Sequence, residues 1–256
     1  MIPLNNVQGT DEWLMARLWR LTSSELKANI TSTGKLSRSE AAVKAVYKLI
    51  AGLACVTRMA KEEKTFEGME DWEIKKAIAV YTGEKFSGNL HTDRGHDLEA
   101  DAVAKLSERI GLQLTDVGMC VMGDTPLGVV SCSPDAIAYR TKKIVEIGAE
   151  IKCPTYAKFI ELVDNDVLPK DYALQVHSSM AICETERWHF AAYFPGHGLF
   201  HKEVRRDHFT DTIAASLEEF RGMYADQLDS VQSSLAKIDK AESPAVAAIE
   251  QEDSLI

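Results

Sequence analysis

The chain has 256 residues, 45% hydrophobic and 27% charged, a balance that suits a soluble globular protein with one sizeable α/β core. It has no eighteen-residue apolar run and no signal-peptide pattern, so nothing places it in or across a membrane. Its five cysteines, without C-x-x-C spacing, read as reduced, largely buried thiols of a cytoplasmic protein. A net charge of −10 argues against passive, non-specific nucleic-acid binding; an enzyme with a basic channel, or with metals offsetting its acids, stays compatible with it.

In chain order, an amphipathic segment carries Trp13, Arg17 and Trp19. Thr22-Ser23-Ser24-Glu25 has capping-box spacing and predicts a short helix whose free N–H groups suit a phosphate. Arg17 is placed to add a guanidinium fork, although a plain helix cap with Arg17 paired to a surface acid is the simpler reading. Ser37-Arg38-Ser39-Glu40 is a second capping box, opening a helix to about Ala54 with Val43, Val46, Tyr47 and Ile50 at helical spacing. The stretch Arg58–Phe66 reads as exposed, and Asp71 to Thr82 as a further short helix ended by Gly83.

From Asp93 to Ile110 the spacing predicts a helix stopped by Gly111, with Glu99, Ala102, Val103, Leu106 and Ile110 on one face. Glu99 is thus an acid in line with a buried stripe, either a group needing a partner or a first-turn acid favoured by the helix dipole. His91 and His96 read as surface or supporting histidines, because five residues fit neither i, i+3 nor i, i+4.

Three strands are predicted next, about Leu112–Met122, Gly128–Tyr139 and Ile144–Cys153. The last two frame the most informative stretch, Ser131-Cys132-Ser133-Pro134-Asp135 followed by Glu150-Ile151-Lys152, joined by a turn with Lys142 and Lys143. Strand alternation puts Glu150 and Lys152 on one face, and Ser131, Ser133 and Asp135 together on another. Glu-x-Lys alone is weak, since Glu25-Leu26-Lys27, Glu62-Glu63-Lys64 and Glu73-Ile74-Lys75 match it too. Here it lies in an apolar run where charges need a reason, and two acids with an amine suit a divalent cation and a water that must lose a proton.

Helices follow at Tyr156–Val163 and Lys170–Cys183, the latter with Gln175 either orienting a ligand or sitting at a helix–sheet seam. Arg187–Phe194 and Leu199–Arg205 read as a hairpin. A last helix from Asp207 has apolar residues at Leu217, Tyr224, Val231 and Ile238, supported by Ile213, Phe220, Leu228 and Leu235. The acidic tail from Ser243 reads as disordered. The expected organisation is a domain over 1–206, a C-terminal helix over 207–242 packing on the core or a partner, and a flexible tail over 243–256.

Taken together, these residues resemble the phage lambda-type exonucleases, the YqaJ-like viral recombinase family within the PD-(D/E)xK nuclease superfamily. The resemblance runs from about Asp11 to Arg206 and rests on five stretches in order: Trp13 to Leu18 with Thr22–Glu25, Gly95–Glu99, Cys132–Ala136, Glu150–Pro154 and Tyr172–Val176. The interval from Asp135 to Glu150 is longer than in compact members. The resemblance implies an α/β (α+β) restriction-endonuclease-like fold, a mixed central sheet flanked by helices, with a long C-terminal helix. It implies that Glu99, Asp135, Glu150 and the Ile151 carbonyl hold one or two Mg²⁺ ions, with Mn²⁺ able to substitute. Lys152 would orient and deprotonate water, Gln175 would assist, and Arg17, Ser24 and Ser133 would bind a 5′ phosphate.

The implied activity is 5′→3′ digestion of one strand of linear double-stranded DNA to mononucleotides, leaving 3′ overhangs. The implied setting is a ring-shaped homotrimer beside a single-strand annealing protein in the bacterial host cytoplasm, phage or prophage encoded. The alternatives are a site-specific or structure-specific endonuclease on the same core and a non-catalytic recombination scaffold. The absence of a terminal cysteine cluster argues against the related iron–sulfur exonucleases.

Overall fold

In the computed structural model, the described backbone covers residues 1–4, 6–61, 79–82, 90–125, 128–141 and 144–253, with side chains described from 98 in the fourth segment's helix and up to 238 in the last. The expectations for Glu62–Phe66 and most of the Asp71–Thr82 helix, for His91 and His96, and for Lys142 and Lys143 lie outside the described residues. So does the Gly83 stop.

The elements are β1 (Ile2–Leu4), α1 (Asp11–Leu18), β2 (Leu21–Thr22), a 3₁₀ turn (Ser23–Ala28), α2 (Glu40–Lys61), α3 (Leu90–Ile110), β3 (Met119–Val121) and β4 (Val130–Cys132). They continue with β5 (Ala136–Thr141), β6 (Ile144–Lys152), α4 (Tyr156–Asn165), α5 (Lys170–Cys183), β7 (Arg187–Phe194), β8 (Gly198–Arg205) and α6 (His208–Asp253). The expected mixed sheet flanked by helices is present, divided into two four-stranded sheets ordered β1-β3-β4-β2 and β5-β6-β7-β8. In each, one parallel pair (β2 with β4, β6 with β7) adjoins antiparallel ones.

The division falls at Ser133-Pro134-Asp135, inside what the sequence predicts as one strand. Proline offers no N–H for a ladder. The chain leaves the first sheet at Cys132 and joins the second at Ala136. A bridge between Thr115 and Ile137 links the predicted Leu112–Met122 segment to the second sheet before its last residues pair in the first. Ser131 therefore belongs to a strand, whereas Ser133 and Asp135 belong to the turn between the sheets. Their common strand face does not exist.

Parallel pairing of β6 with β7 places Gly148 opposite Trp188, which is fully buried. A β-carbon at Gly148 would lie 2.3 Å from the Trp188 ring, so the close approach of the two strands requires glycine here. One apolar cluster fills the space between β4, α5 and α6, including Val130, Val176, Met180, Ile213, Leu217 and Phe220. A second, with Ala102, Leu106, Ile147 and Ile151, packs α3 on the opposite side of the β5–β8 sheet. Gly111 ends α3 at φ +68°, a left-handed geometry that glycine adopts without strain.

Several local expectations change. Ser39, not Ser37, caps α2: its Oγ accepts from Ala42 N at 3.2 Å. Val43 and Tyr47 are exposed, and Ala42, Val46 and Ile50 make the buried stripe instead. In α6, Ile213, Leu217, Phe220 and Tyr224 are buried, while Leu235 and Ile238 of the same repeat are exposed. The helix α6 is continuous to Asp253. Among the described residues no helix is long and apolar enough to cross a membrane.

Candidate active site

The carboxylates converge because β6, the Ser133–Asp135 turn, α3 and α5 meet at one end of the second sheet. Asp135 N donates to Ala149 O at 3.1 Å, which fastens the turn to β6. In return Ile151 N donates to Asp135 Oδ2 at 2.5 Å. Glu150 and Lys152, on one face of β6, pair directly. Gln175 Nε2, from α5, donates to the same Glu150 Oε1 at 2.7 Å. Lys152 Nζ also lies 5.8 Å from the centre of the Tyr172 ring, itself stacked on Phe190. Gln175 is thus a partner of the acid across the seam between α5 and β6.

Electrostatics shows how crowded the acids are. Burial, and then the neighbouring Asp135 carboxylate, push Glu150 from 4.5 up to about 8, with Lys152 acting the other way. Glu99, arriving from α3 beside the buried Ala102 and Leu106, is pushed up to about 7 by burial first and then by Asp135, against Lys152. A first-turn dipole effect would lower a carboxyl pKa, so Glu99 behaves as an acid of this cluster rather than as a helix-start residue. Its position is well inside α3, which begins at Leu90.

For Lys152, burial disfavours the ammonium, but the Glu150 and Asp135 carboxylates outweigh it and hold the pKa above its ordinary value.

Hard oxygen donors with excess negative charge in a half-buried place fit a divalent cation of the Mg²⁺ or Mn²⁺ type. Among the described residues, however, only three cysteines elsewhere bring three ligand atoms all within 4.8 Å. The acids stand further apart, as like charges do when Lys152, Gln175 and the Ile151 N–H hold them separately.

The N-terminal group assembles differently from its sequence reading. Thr22 makes no side-chain cap, and Ser23–Ala28 is a 3₁₀ turn rather than an α-helix. Arg17 Nη2 instead donates to Thr22 Oγ1, Ser24 Oγ and Glu25 Oε1 at 3.2, 3.0 and 3.1 Å. Arg17 and Ser24 are therefore together, with Glu25 occupying the guanidinium. Ser133 joins them through Trp13: its Oγ accepts from Trp13 Nε1 at 3.2 Å, and the Arg17 guanidinium lies 4.5 Å over the Trp13 ring.

Trp13, which the sequence offers only as the start of the Trp13–Leu18 stretch, is the residue that organises this group, and its i, i+4 spacing to Arg17 is legible on a helix. Sequence reasoning missed Gln8. Its Nε2 donates to Pro134 O at 2.8 Å and to Val117 O at 3.1 Å, holding the turn that carries Asp135.

A strand-borne Glu and Lys, a turn-borne Asp, a helical Glu and a helical Gln thus gather around one end of an α/β sheet. The chain belongs to the YqaJ-like viral recombinase domain family, whose sequence pattern matches residues 12–186. Among solved structures it is similar to the alkaline exonuclease LHK-Exo from Laribacter hongkongensis, and to LHK-Exo in complex with dAMP. Each has a TM-score of 0.61 at 20% identity, over 90% of this chain and 100% of that one. At this identity the likeness is one of fold. No curated protein matches the sequence.

Proposed function

We propose that this protein is a Mg²⁺-dependent 5′→3′ exonuclease that degrades one strand of linear double-stranded DNA to mononucleotides, leaving 3′ overhangs for annealing recombination. The observation that carries the reading is the joint engagement of Glu150 by Lys152 and Gln175, beside Asp135 bound to the Ile151 N–H. Membership of the viral recombinase family and the exonuclease fold of LHK-Exo support it.

Glu99, Asp135, Glu150 and the Ile151 carbonyl would hold one or two Mg²⁺ ions, whose chemistry is to neutralise charge developing on the phosphate and to acidify water. The residues' own work follows from their positions. Once the charge of Glu150 and Asp135 is offset, burial is the main influence left on Lys152, and it favours the neutral amine that can take a proton from the attacking water. Gln175 keeps the Glu150 carboxylate in one orientation. Arg17 and Ser24 would take the 5′ phosphate, displacing Glu25 from the guanidinium, with Ser133 presented beside them by Trp13. An acidic chain that stays on DNA is consistent with a homotrimeric ring in the bacterial host cytoplasm, working with a single-strand annealing protein.

The test is an end-polarity assay with Mg²⁺ on linear and circular duplexes labelled at either end. Release of 5′-terminal mononucleotides from linear duplex alone is expected. Cutting of closed circles would instead indicate an endonuclease, and digestion from 3′ ends would refute the polarity. Light scattering tests the trimer; a monomer at assay concentration would remove the ring.

A further inference from the structure

Away from the carboxylates, three of the five cysteines meet from three different elements. Register in the first sheet pairs Cys120 on β3 directly with Cys132 on β4, so both side chains rise from the same face. The C-terminal end of α5 brings Cys183 over that face. The three sulfurs all lie within 4.8 Å of one another, and Cys132 and Cys183 are 3.5 Å apart. All three side chains are buried, at 0%, 0% and 3% exposure.

A buried cysteine is commonly just a small apolar residue. Cys55, buried between α1 and α2 beside Met15 and Met59, is of that kind. Three sulfurs converging at ligand spacing is a different arrangement. A metal–sulfur bond of about 2.3 Å places thiolates about 3.8 Å apart around a tetrahedral ion, so the cluster needs adjustments of at most about 1 Å to coordinate one. Ser179, also buried, lies beside Cys132, where its hydroxyl would favour negative charge on that sulfur.

We propose that Cys120, Cys132 and Cys183 form a three-thiolate site for a soft, thiophilic cation of the Zn²⁺ type. Each thiol gives up its proton to solvent on coordination, so binding tightens as pH rises. Sulfur donors and a dry setting select against Mg²⁺, which prefers oxygen and water. The site therefore stands apart from the carboxylates in chemistry as well as in place. It also has a structural consequence. Cys132 directly precedes the Ser133–Asp135 turn and Cys183 closes the helix that carries Gln175. A bound ion would clamp the first sheet to α5 and steady both approaches to the acidic site.

The test uses the full chain, reduced, with Mg²⁺ in excess so that the oxygen site is already supplied. Titration with Cd²⁺ should give a thiolate charge-transfer absorption in the ultraviolet that saturates at one ion per chain. X-ray absorption on the Zn²⁺-loaded wild type should count three sulfur neighbours at about 2.3 Å. Cys132→Ser or Cys183→Ser should weaken binding by more than about tenfold and remove about a third of the band. Cys153→Ser, outside the cluster, should leave both unchanged.

No saturable band, or a zinc shell of oxygen and nitrogen only, would overturn the proposal. Loss of binding in Cys153→Ser would do the same, as would a Cys132–Cys183 disulfide in protein kept reduced throughout. If the serine variants fail to fold, the wild-type sulfur count still decides.

Discussion

Replacing Glu99 with glutamine probes the acidic cluster without changing its shape. In the folded, metal-free protein Glu99 titrates at about 7 instead of 4.5, because burial and then Asp135 resist its charge. The folded state thus holds the proton more tightly than the unfolded chain. That contribution to stability is complete below about pH 4.5 and is lost as pH rises through about 7. At about 1.4 kcal/mol per pH unit the shift corresponds to about 3 kcal/mol, and partial solvent exposure reduces it to about 1–2 kcal/mol. Glu99→Gln removes the penalty.

In EDTA at pH 8, Glu99→Gln should raise stability by about 1–2 kcal/mol, a few degrees in Tm, with much less gain at pH 5. Added Mg²⁺ should raise the wild-type Tm by mass action on the native state and raise the variant's far less. Thermal and urea unfolding at the two pH values, with and without Mg²⁺, measure all four quantities. A variant less stable than wild type at pH 8, or an equal gain at pH 5, would refute the electrostatic reasoning. A full Mg²⁺ response in the variant would remove Glu99 from the metal set.

Other substitutions test the remaining links. Gly148→Ala should destabilise the fold by about 1–3 kcal/mol through its clash with Trp188; an unchanged urea midpoint would mean that β6 and β7 can separate freely. Gln175→Leu removes the 2.7 Å bond to Glu150 and should slow DNA hydrolysis by about 10- to 100-fold, and an unaltered kcat would deny it that role. Arg17→Ala should cost about 10- to 100-fold on 5′-phosphorylated duplex, and equal losses on hydroxyl-ended duplex would contradict a phosphate contact. Leu217→Ala should cost about 2–5 kcal/mol, whereas Ile238→Ala, half exposed at 54%, should stay within about 0.5 kcal/mol. Similar denaturation midpoints for the two would refute the division of α6 into a packed and an exposed half.

Much of this protein is determined by local chemistry that can be read along the chain. The α5 helix from Lys170 to Cys183, the closing hairpin around Pro195–Gly198 and the stop at Gly111 follow from periodicity and turn residues, because those preferences act within a few residues. Glu150 and Lys152 share a face for the same reason.

What required the tertiary structure is whatever depends on contacts distant in sequence. Pro134 moves the chain from one sheet to another, and only the pairing partners, Cys120 on one side and Ala149 on the other, show that two sheets exist. Val43 and Tyr47 have helical spacing as good as that of Val46, and the direction from which the core packs leaves them exposed. The protonation of Lys152 depends on how near the carboxylates come, since burial and charge act in opposite directions and distance decides between them. Arg17 meets Glu25 because a 3₁₀ turn, not an α-helix, follows Thr22. The three sulfurs of Cys120, Cys132 and Cys183 carry no spacing signal at all, because a strand pair and a helix end bring them together.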